Sequence, residues 1–438
     1  MTKQYITTFD EAVNYLYQIP RFTSKNTMED TRAFLQQLGD PDRCMRIIHV
    51  AGTNGKGSTC SYMRSILEAA GKRVALFTSP HLVDVRERFL IEGKMPEKES
   101  FLAAFLHIYD LLDWNELEAG SGYHPTFFEY LFFMAMLMFR DAAPDYCILE
   151  TGLGGRLDAT NSVTDKVLTV ITRISLDHVE YLGNTVEAVA GEKAGIIRAG
   201  VPVVYSDTDP AVTGVFEKTA REVGTKTYPV SKNCYTNLKI NNKTIDFSLH
   251  YRYDDNIRVS VATIAPYQAE NAALAVRAIE VLDPKGTITI GQIRQGLAEC
   301  FWAGRMEEVL PGVFVDGAHN EDGIRAFLDC VAVDGCNRRK LLFSAVSDKD
   351  YVSMLEKLVQ SGCFDEIAIA HMNGKRAASL GSLEEAMLKN PGCAYTLYDN
   401  VGTAFHELVT DLNGARLYVA GSLYLVGEIK ELVNHDQF

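Results

Sequence analysis

The sequence has no excess of positive charge and no apolar segment at its start. Its 57 acidic residues outnumber 43 basic ones, giving a formal net charge of −14. A chain this negative is not expected to bind nucleic acid or an anionic membrane as its main partner. The first residues, MTKQYITTFDEAV, contain no hydrophobic stretch. No secretory signal is therefore predicted, and a cytoplasmic location is expected.

Paired cysteines are also missing. The chain has 9 cysteines, an odd number, and no CxxC pair. This pattern argues against a disulfide framework and against a zinc site. Several cysteines fall inside apolar runs, where a free thiol acts as a small buried hydrophobe. A reducing compartment is expected.

Long apolar runs are absent as well. The strongest candidate, YLFFMAMLMF at Tyr130–Phe139, has ten residues between Glu129 and Arg140. A membrane-spanning helix needs about 20. The run is therefore predicted to be a buried core helix.

What the sequence does contain is the pattern of a two-domain α/β protein. Its 438 residues exceed one ordinary domain. Short β-rich runs alternate with amphipathic segments, which predicts parallel sheets covered by helices. We predict an N-terminal P-loop ATPase-type domain at 1–299 and a C-terminal Rossmann-like α/β domain at 300–438. A small antiparallel insert is predicted at about 226–261, turning at Asn241-Asn242, and Trp302–Gly312 is predicted to be a connector.

The strongest local signal is AGTNGKGST at Ala51–Thr59, which follows a strand and opens a helix. Glycines let backbone N–H groups approach phosphate oxygens, and the helix N-terminus adds partial positive charge. Lys56 is placed to reach the β- and γ-phosphates. The spacing is shorter than GxxxxGK[ST], with Gly57 after the lysine, so an ordinary strand–helix turn is the alternative.

Three further positions have two interpretations on the residues alone. Glu150 ends a predicted strand, where it suits Mg²⁺ but is equally a solvated carboxylate. His178 follows a strand predicted at Val167–Ile174, and a lone histidine is more often structural. Lys193, in a predicted helix at Thr185–Ile197, would ordinarily be exposed and paired with Glu.

The order of several motifs resembles one known family. AGTNGKGST is followed by TSPHL, ILETGLGGRLDATN, SLDHVEYLGNT, GEKAGII, DGAHN and AGSLYLVGEI. This series is similar to the folylpolyglutamate synthase/dihydrofolate synthase family of the Mur-ligase superfamily, over nearly the whole chain.

The resemblance implies roles for individual residues. It implies catalytic roles for Lys56, Lys193 and His319, with Lys193 carbamylated. It implies Mg²⁺ ligands, for two ions, at Ser79, Glu150 and His178, although Ser79 could instead cap a helix before Pro80. ATP contacts are implied at Gly52, Thr53, Asn54, Gly55, Lys56, Gly57, Ser58, Thr59, Asn271, Arg305 and Asp316. Folate contacts are implied at Pro125, Thr126, Phe127, Phe128, Leu157, Asp158 and Ala159, and the glutamate side at His319 and Ser422.

Three positions depart from the family pattern. Arg173 stands where a small residue is usual before the DH pair, and Ala303 and Glu321 stand where prolines are common. None of these departures removes a side chain to which a chemical role is assigned. They affect the stiffness expected of the connector.

The function implied is ligation of L-glutamate to a folate carboxylate through an acyl phosphate, with ATP and Mg²⁺. Tetrahydrofolates are expected substrates, with dihydropteroate as a further candidate, and the chain is expected to be a monomer. One alternative is another Mur-superfamily amide ligase, such as one that builds peptidoglycan precursors. The other is a P-loop nucleotide-binding module without ligase chemistry.

Overall fold

Three β-sheets organise the protein, seen in a computed structural model that describes residues 3–19, 26–241, 243–251 and 254–435. Within that part the first sheet has the strand order β3-β2-β4-β1-β5-β6-β7, the second β10-β9-β8 and the third β11-β12-β16-β13-β14-β15. The strands are β1 (Ile47–Ala51), β2 (Val74–Phe77), β3 (Phe89–Ile91), β4 (Tyr146–Glu150), β5 (Lys166–Ile171), β6 (Val203–Ser206), β7 (Thr227–Val230), β8 (Tyr235–Ile240), β9 (Ile245–Tyr251), β10 (Asp254–Val261), β11 (Glu307–Leu310), β12 (Val313–Val315), β13 (Arg339–Phe343), β14 (Glu366–Ala370), β15 (Ala394–Tyr398) and β16 (Arg416–Ala420).

Helices cover the two large sheets, because each parallel strand returns through a crossover. The predicted α/β fold with an antiparallel insert is confirmed. The helices are α1 (Phe9–Gln18), α2 (Met28–Gln37), α3 (Lys56–Ala69), α4 (Lys98–Leu111), α5 (Trp114–Ala119), α6 (Phe127–Ala142), α7 (Val179–Leu182), α8 (Val186–Ala194), α9 (Pro210–Val223), α10 (Gln268–Leu282), α11 (Ile290–Glu299), α12 (Glu321–Ala332), α13 (Tyr351–Gln360), α14 (Leu380–Leu388), α15 (Val401–Thr410) and α16 (Leu423–Asn434).

The first sheet places the phosphate-binding loop at its centre. β1 lies between β4 and β5 and runs parallel to both. All five residues of β1 and of β4 are buried, as expected of strands covered on both faces. β3 is antiparallel to β2 at one edge. The carboxyl ends of β1, β4 and β5 therefore open onto one edge of the sheet.

The apolar run Tyr130–Phe139 lies in α6, and every residue of it is buried. The prediction of a core helix is confirmed. Among the described residues, no helix has both the length and the apolarity needed to span a bilayer.

The insert begins later than predicted. β7, at Thr227–Val230, pairs in parallel with β6 and completes the first sheet, so the antiparallel insert is β8–β10. The reason is α9, which ends at a left-handed Gly224 and returns the chain alongside β6. Asn242, half of the predicted turn, lies outside the described residues.

Two other boundaries were also predicted wrongly. The strand predicted to reach Ile174 ends at Ile171, because the Arg173 carbonyl accepts the N–H groups of Thr53 and Asn54. The predicted connector Trp302–Gly312 contains a strand, β11, which pairs antiparallel with β12. Gly312, at φ +79°, lies in the turn between them.

Candidate functional site

The loop between β1 and α3 is shaped by close packing against α10. Gly55 precedes α3 with φ +88°, a left-handed conformation that favours glycine. A Cβ atom at Gly55 would lie 2.2 Å from the Asn271 Oδ1 atom. Asn271 is buried, and its amide donates to the Gln268 Oε1 atom at 2.9 Å. Gln268 in turn donates to the Ser58 hydroxyl at 3.1 Å. Asn271 therefore faces the loop, as an ATP contact would require.

Two lysine side chains converge on one carbonyl of this loop. The Lys56 Nζ atom donates to the Gly52 oxygen at 3.1 Å and to the Thr53 oxygen at 3.2 Å. The Lys193 Nζ atom donates to the same Gly52 oxygen at 2.7 Å. Lys193 is buried rather than exposed, and burial, together with the charge of Lys56, lowers its pKa to about 7. A large fraction of Lys193 is therefore neutral near pH 7.

Glu150 and Ser79 lie together at the ends of β4 and β2. The Glu150 Oε2 atom accepts the Ser79 backbone N–H at 3.0 Å. Burial raises the pKa of Glu150, and the positive charge of Lys56 opposes that shift. A buried carboxylate is an oxygen donor that suits Mg²⁺, and a serine hydroxyl can supply another oxygen.

His178 is held by the C-terminal half of the chain. It adopts a left-handed conformation at φ +48°, and its Nε2 atom lies 3.2 Å from the Lys349 Nζ atom. Lys349 also forms an ion pair with Asp177. Burial and the nearby lysines lower the pKa of His178 to about 4, so a neutral ring accepts the lysine's hydrogen bond. In the described ranges no three His, Cys, Asp or Glu side chains form a group able to hold a metal by themselves.

Asp316 and Arg305 lie close to the start of α10. Asp316 is buried and accepts hydrogen bonds from the Tyr267 hydroxyl at 2.7 Å and the Met306 and Ala318 N–H groups at 2.9 Å. Burial raises the pKa of Asp316, and Arg305 opposes that shift. The Arg305 guanidinium donates to the Gly304 carbonyl at 2.8 Å.

A cavity of about 270 Å³ opens beside these residues. It lies between the middle of α3, the connector and the start of α10. Its walls include Tyr62, Gln268, Phe301, Trp302, Arg305 and Phe314. The Trp302 indole lies against Gly57, where a Cβ atom would be 2.6 Å from the Trp302 Cζ2 atom. The residue after Lys56 is thus glycine because an indole occupies the space.

The two residues predicted on the glutamate side differ in their surroundings. The His319 Nδ1 atom is 2.7 Å from the Gly317 carbonyl, and its Nε2 atom is 4.0 Å from Asp177. Burial and the charge of Lys349 lower the pKa of His319 to about 4. Ser422 is buried and caps α16 by accepting the Tyr424 N–H at 3.1 Å. His319 therefore lies beside the DH pair, whereas the Ser422 hydroxyl has a structural partner.

The predicted folate segment 125–128 lies at the start of α6. Pro125 is buried, and Thr126 caps the helix by accepting the Glu129 N–H at 3.3 Å. Phe127 stacks on Tyr17 at a centroid distance of 5.9 Å, with the Arg88 guanidinium over its ring at 5.5 Å. The Phe128 ring lies against Gly152, beside Glu150. Phe128 thus contacts the loop that follows Glu150.

The second predicted folate segment, 157–159, is mostly turned inward. Leu157 is 42% exposed, but Ala159 packs in the hydrophobic core. Asp158 is buried and accepts the N–H groups of Gly152 at 2.9 Å and Leu153 at 2.8 Å. Asp158 therefore shapes the loop after Glu150, and of the three side chains Leu157 is the exposed one.

Several residues of the site were missed from the sequence. They lie in the segments between regular elements or at an end of one, and the signal for Asp177 and Lys349 was a charged residue in the loop that follows a strand. The missed residues are Arg88, Asp177, Gln268, Trp302, Asp322 and Lys349.

Comparison with known proteins gives consistent matches. The family described as Mur ligase middle domain matches residues 108–279. The chain is 35% identical to the dihydrofolate synthase/folylpolyglutamate synthase of Bacillus subtilis, over 97% of this chain and 99% of that protein. A Mycobacterium tuberculosis folylpolyglutamate synthase complexed with ADP and AMPPCP has a TM-score of 0.89 at 27% identity, covering 98% of both chains. E. coli FolC in complex with DHPP and ADP has a TM-score of 0.85 at 28% identity, covering 100% of both.

Proposed function

The chain belongs to the folylpolyglutamate synthase/dihydrofolate synthase family, an ATP-dependent ligase family that joins glutamate to a folate, and we propose that its reaction proceeds through an acyl phosphate at the β1–α3 loop. The observation that carries this proposal is the convergence of Lys56 and Lys193 on the Gly52 carbonyl. The Lys56 ammonium group at this glycine-rich loop provides positive charge that a triphosphate needs in an acidic protein, and Lys193 lies beside the same carbonyl.

The first step is attack of the folate carboxylate on the γ-phosphorus, which releases ADP and leaves an acyl phosphate. Lys56 exchanges its contacts with Gly52 and Thr53 for phosphate oxygens and stabilises the charge that develops there. Asn271, Arg305 and Asp316 bind the nucleotide, whose base and ribose occupy the cavity beside Trp302.

In the second step the glutamate amine attacks the acyl carbon, phosphate leaves and an amide forms. We place this amino acid beside His319, with Ser422 supporting its loop. The Gly421 N–H donates to the Ala318 carbonyl at 2.9 Å, which brings the two loops together. Phe127, Phe128 and Leu157 supply the apolar surface for the flat pterin and aminobenzoyl groups.

Ser79, Glu150 and His178 are proposed to hold Mg²⁺, two ions in total. The Ser79 and Glu150 oxygens fit the ion's preference, and His178 would have to exchange Lys349 for the metal. When bound, Mg²⁺ supplies positive charge that polarises the phosphoryl oxygens. Titrating Mg²⁺ against ADP binding in Glu150→Gln tests this assignment, and unchanged Mg²⁺ dependence would contradict it.

Lys193 is proposed to be carbamylated in the active enzyme. Its neutral amine nitrogen would form a bond to the carbon of CO₂ and release a proton, which leaves an anionic carbamate. The lowered pKa supports this reaction, because only the neutral amine is nucleophilic. Mass spectrometry under CO₂ should detect the adduct on Lys193. A Lys193→Ala variant should lose most activity and recover part of it with acetate or formate. Full activity of that variant would refute the role.

We also propose that dihydropteroate is a substrate. The 35% identical Bacillus relative carries both activities in its name, and the E. coli structure contains DHPP. We further propose division into domains at 1–299 and 300–438, a cytoplasmic location and a monomeric state, with no nucleic acid or membrane partner. Size-exclusion chromatography with light scattering tests the monomer.

The decisive assay measures ADP release with dihydropteroate or tetrahydrofolate, each with and without glutamate. Release that depends on both substrates, with formation of the amide, supports the proposal. ADP release without amide formation would favour a nucleotide-binding module, and activity only with a UDP-linked sugar acid would favour a peptidoglycan-precursor ligase.

A further inference from the structure

Arg173 connects three separate parts of the protein. Its backbone carbonyl accepts the Thr53 N–H at 2.9 Å and the Asn54 N–H at 3.3 Å, in the phosphate loop. Its guanidinium donates to the Asp322 Oδ1 atom at 3.0 Å, in the first turn of α12, and lies 3.6 Å from Glu270 on α10. One residue thus contacts the phosphate loop, α10 and α12.

Asp322 contacts both Arg173 and the phosphate loop. Its Oδ2 atom accepts the Asn54 side-chain amide at 2.9 Å, while Oδ1 accepts Arg173. Asn320, the residue that caps α12, exchanges hydrogen bonds with the Asn54 amide at 3.1 and 3.2 Å. The side chain of Asn54, within the phosphate loop, is therefore fixed by the C-terminal half of the chain.

We propose that Arg173 is a positioning residue that joins Asp322 to the phosphate loop and keeps the two halves closed while the acyl phosphate exists. This inference rests on the proposed function. An acyl phosphate is open to a side reaction in which water attacks the acyl carbon, phosphate leaves and the folate carboxylate is regenerated. The net result of that reaction is hydrolysis of ATP to ADP and phosphate without an amide. Exclusion of water prevents such losses.

The measurement is the number of ADP molecules released per amide formed, with tetrahydrofolate, ATP and glutamate all saturating. Arg173→Gln removes the charge and keeps similar length. Asp322→Asn breaks the ion pair with Arg173 but retains an oxygen that can accept the Asn54 amide. It therefore tests the ion pair separately, and it replaces Arg173→Gln in the experiment if that variant does not fold. Arg325→Gln is the matched control, because Arg325 is exposed on α12, the helix that carries Asp322, and pairs with Glu321.

We expect one ADP per amide in the wild type and in Arg325→Gln. In Arg173→Gln and Asp322→Asn we expect ADP in excess of amide and about a tenfold lower kcat for ligation, as loss of closure misplaces the reacting groups. A ratio of one in both variants would overturn the inference, whether or not kcat falls. A wild type that forms no amide would instead overturn the proposed function.

Discussion

Gly57 offers a test of the packing between the phosphate loop and the connector. In Gly57→Ala the new Cβ would lie 2.6 Å from the Trp302 Cζ2 atom, whereas carbon atoms in contact are about 3.5–4.0 Å apart. The indole must therefore move by about 1 Å. Overpacking of this kind costs about 1–3 kcal/mol. Alanine is about 1 kcal/mol more favourable than glycine in a helix, which offsets part of this loss of stability. The expected net loss of stability is about 0–2 kcal/mol.

The substitution should also weaken nucleotide binding, because Trp302 lines the cavity proposed for the nucleotide. We expect the KM for ATP to rise about tenfold, which corresponds to about 1.4 kcal/mol of binding. Steady-state kinetics and urea unfolding measure the two effects. The chain has 2 tryptophans, so a Trp114→Phe background isolates the fluorescence of Trp302 and reports its displacement.

Gly214→Ala is the control for this experiment. Gly214 lies inside α9, and a Cβ atom there would have no neighbour within 4 Å. The same substitution should leave the KM for ATP unchanged and stabilise the protein by up to about 1 kcal/mol. If Gly57→Ala matches Gly214→Ala in KM, stability and Trp302 fluorescence, the proposed contact is wrong.

Three further predictions follow from the site. Lys56→Ala should lower kcat by about 10²–10³ with the fold intact, because the lysine stabilises charge in transfer; near-normal turnover at saturating ATP would exclude this role. Glu150→Ala should raise the Mg²⁺ concentration needed for half-maximal activity, and an unchanged Mg²⁺ titration would count against a metal role. Lys193→Met should flatten the pH dependence of stability. With a folded pKa of about 7 and an unfolded one of about 10.4, the unfolded chain binds more protons between these values, so wild-type stability rises with pH in that window. Urea unfolding in CO₂-free buffer checks this, and a pH-independent difference from wild type would contradict it.

The parts of the fold that could be predicted are those encoded by neighbouring residues. The β1–loop–α3 unit follows from an apolar run, glycines and a lysine in sequence, and Glu150 and His178 follow strand ends. The core position of α6 follows from its apolar run, which is too short to span a bilayer. β7 could not be placed, because a short β-rich run pairs equally well in an insert or a parallel sheet, and the return path of α9 decides between them.

Contacts between distant segments left no local signal. Asn54 and Asp322 are 268 residues apart in the chain, and their hydrogen bond depends on how the two halves meet. The space beside Gly57 is filled by Trp302, whose place in the connector gives no indication of that partner. The inward orientation of Asp158 could not be predicted either. A carboxylate in a glycine-rich loop can contact a ligand or accept the loop's own N–H groups, and the sequence does not distinguish the two.

The order of strands in the first sheet has a consequence for motion. β1, β4 and β5 are interior strands whose amide groups are paired on both sides, whereas β3 and β7 lie at the edges. Local opening is rarest where backbone groups are buried and paired, so amide hydrogens of the interior strands should exchange with solvent most slowly. Glu150, at the end of β4, and the loops that carry Gly52 and His178 are thus anchored to the slowest-exchanging part of the chain. We therefore expect the conformational changes that admit and release substrates to occur in these loops and in the C-terminal half.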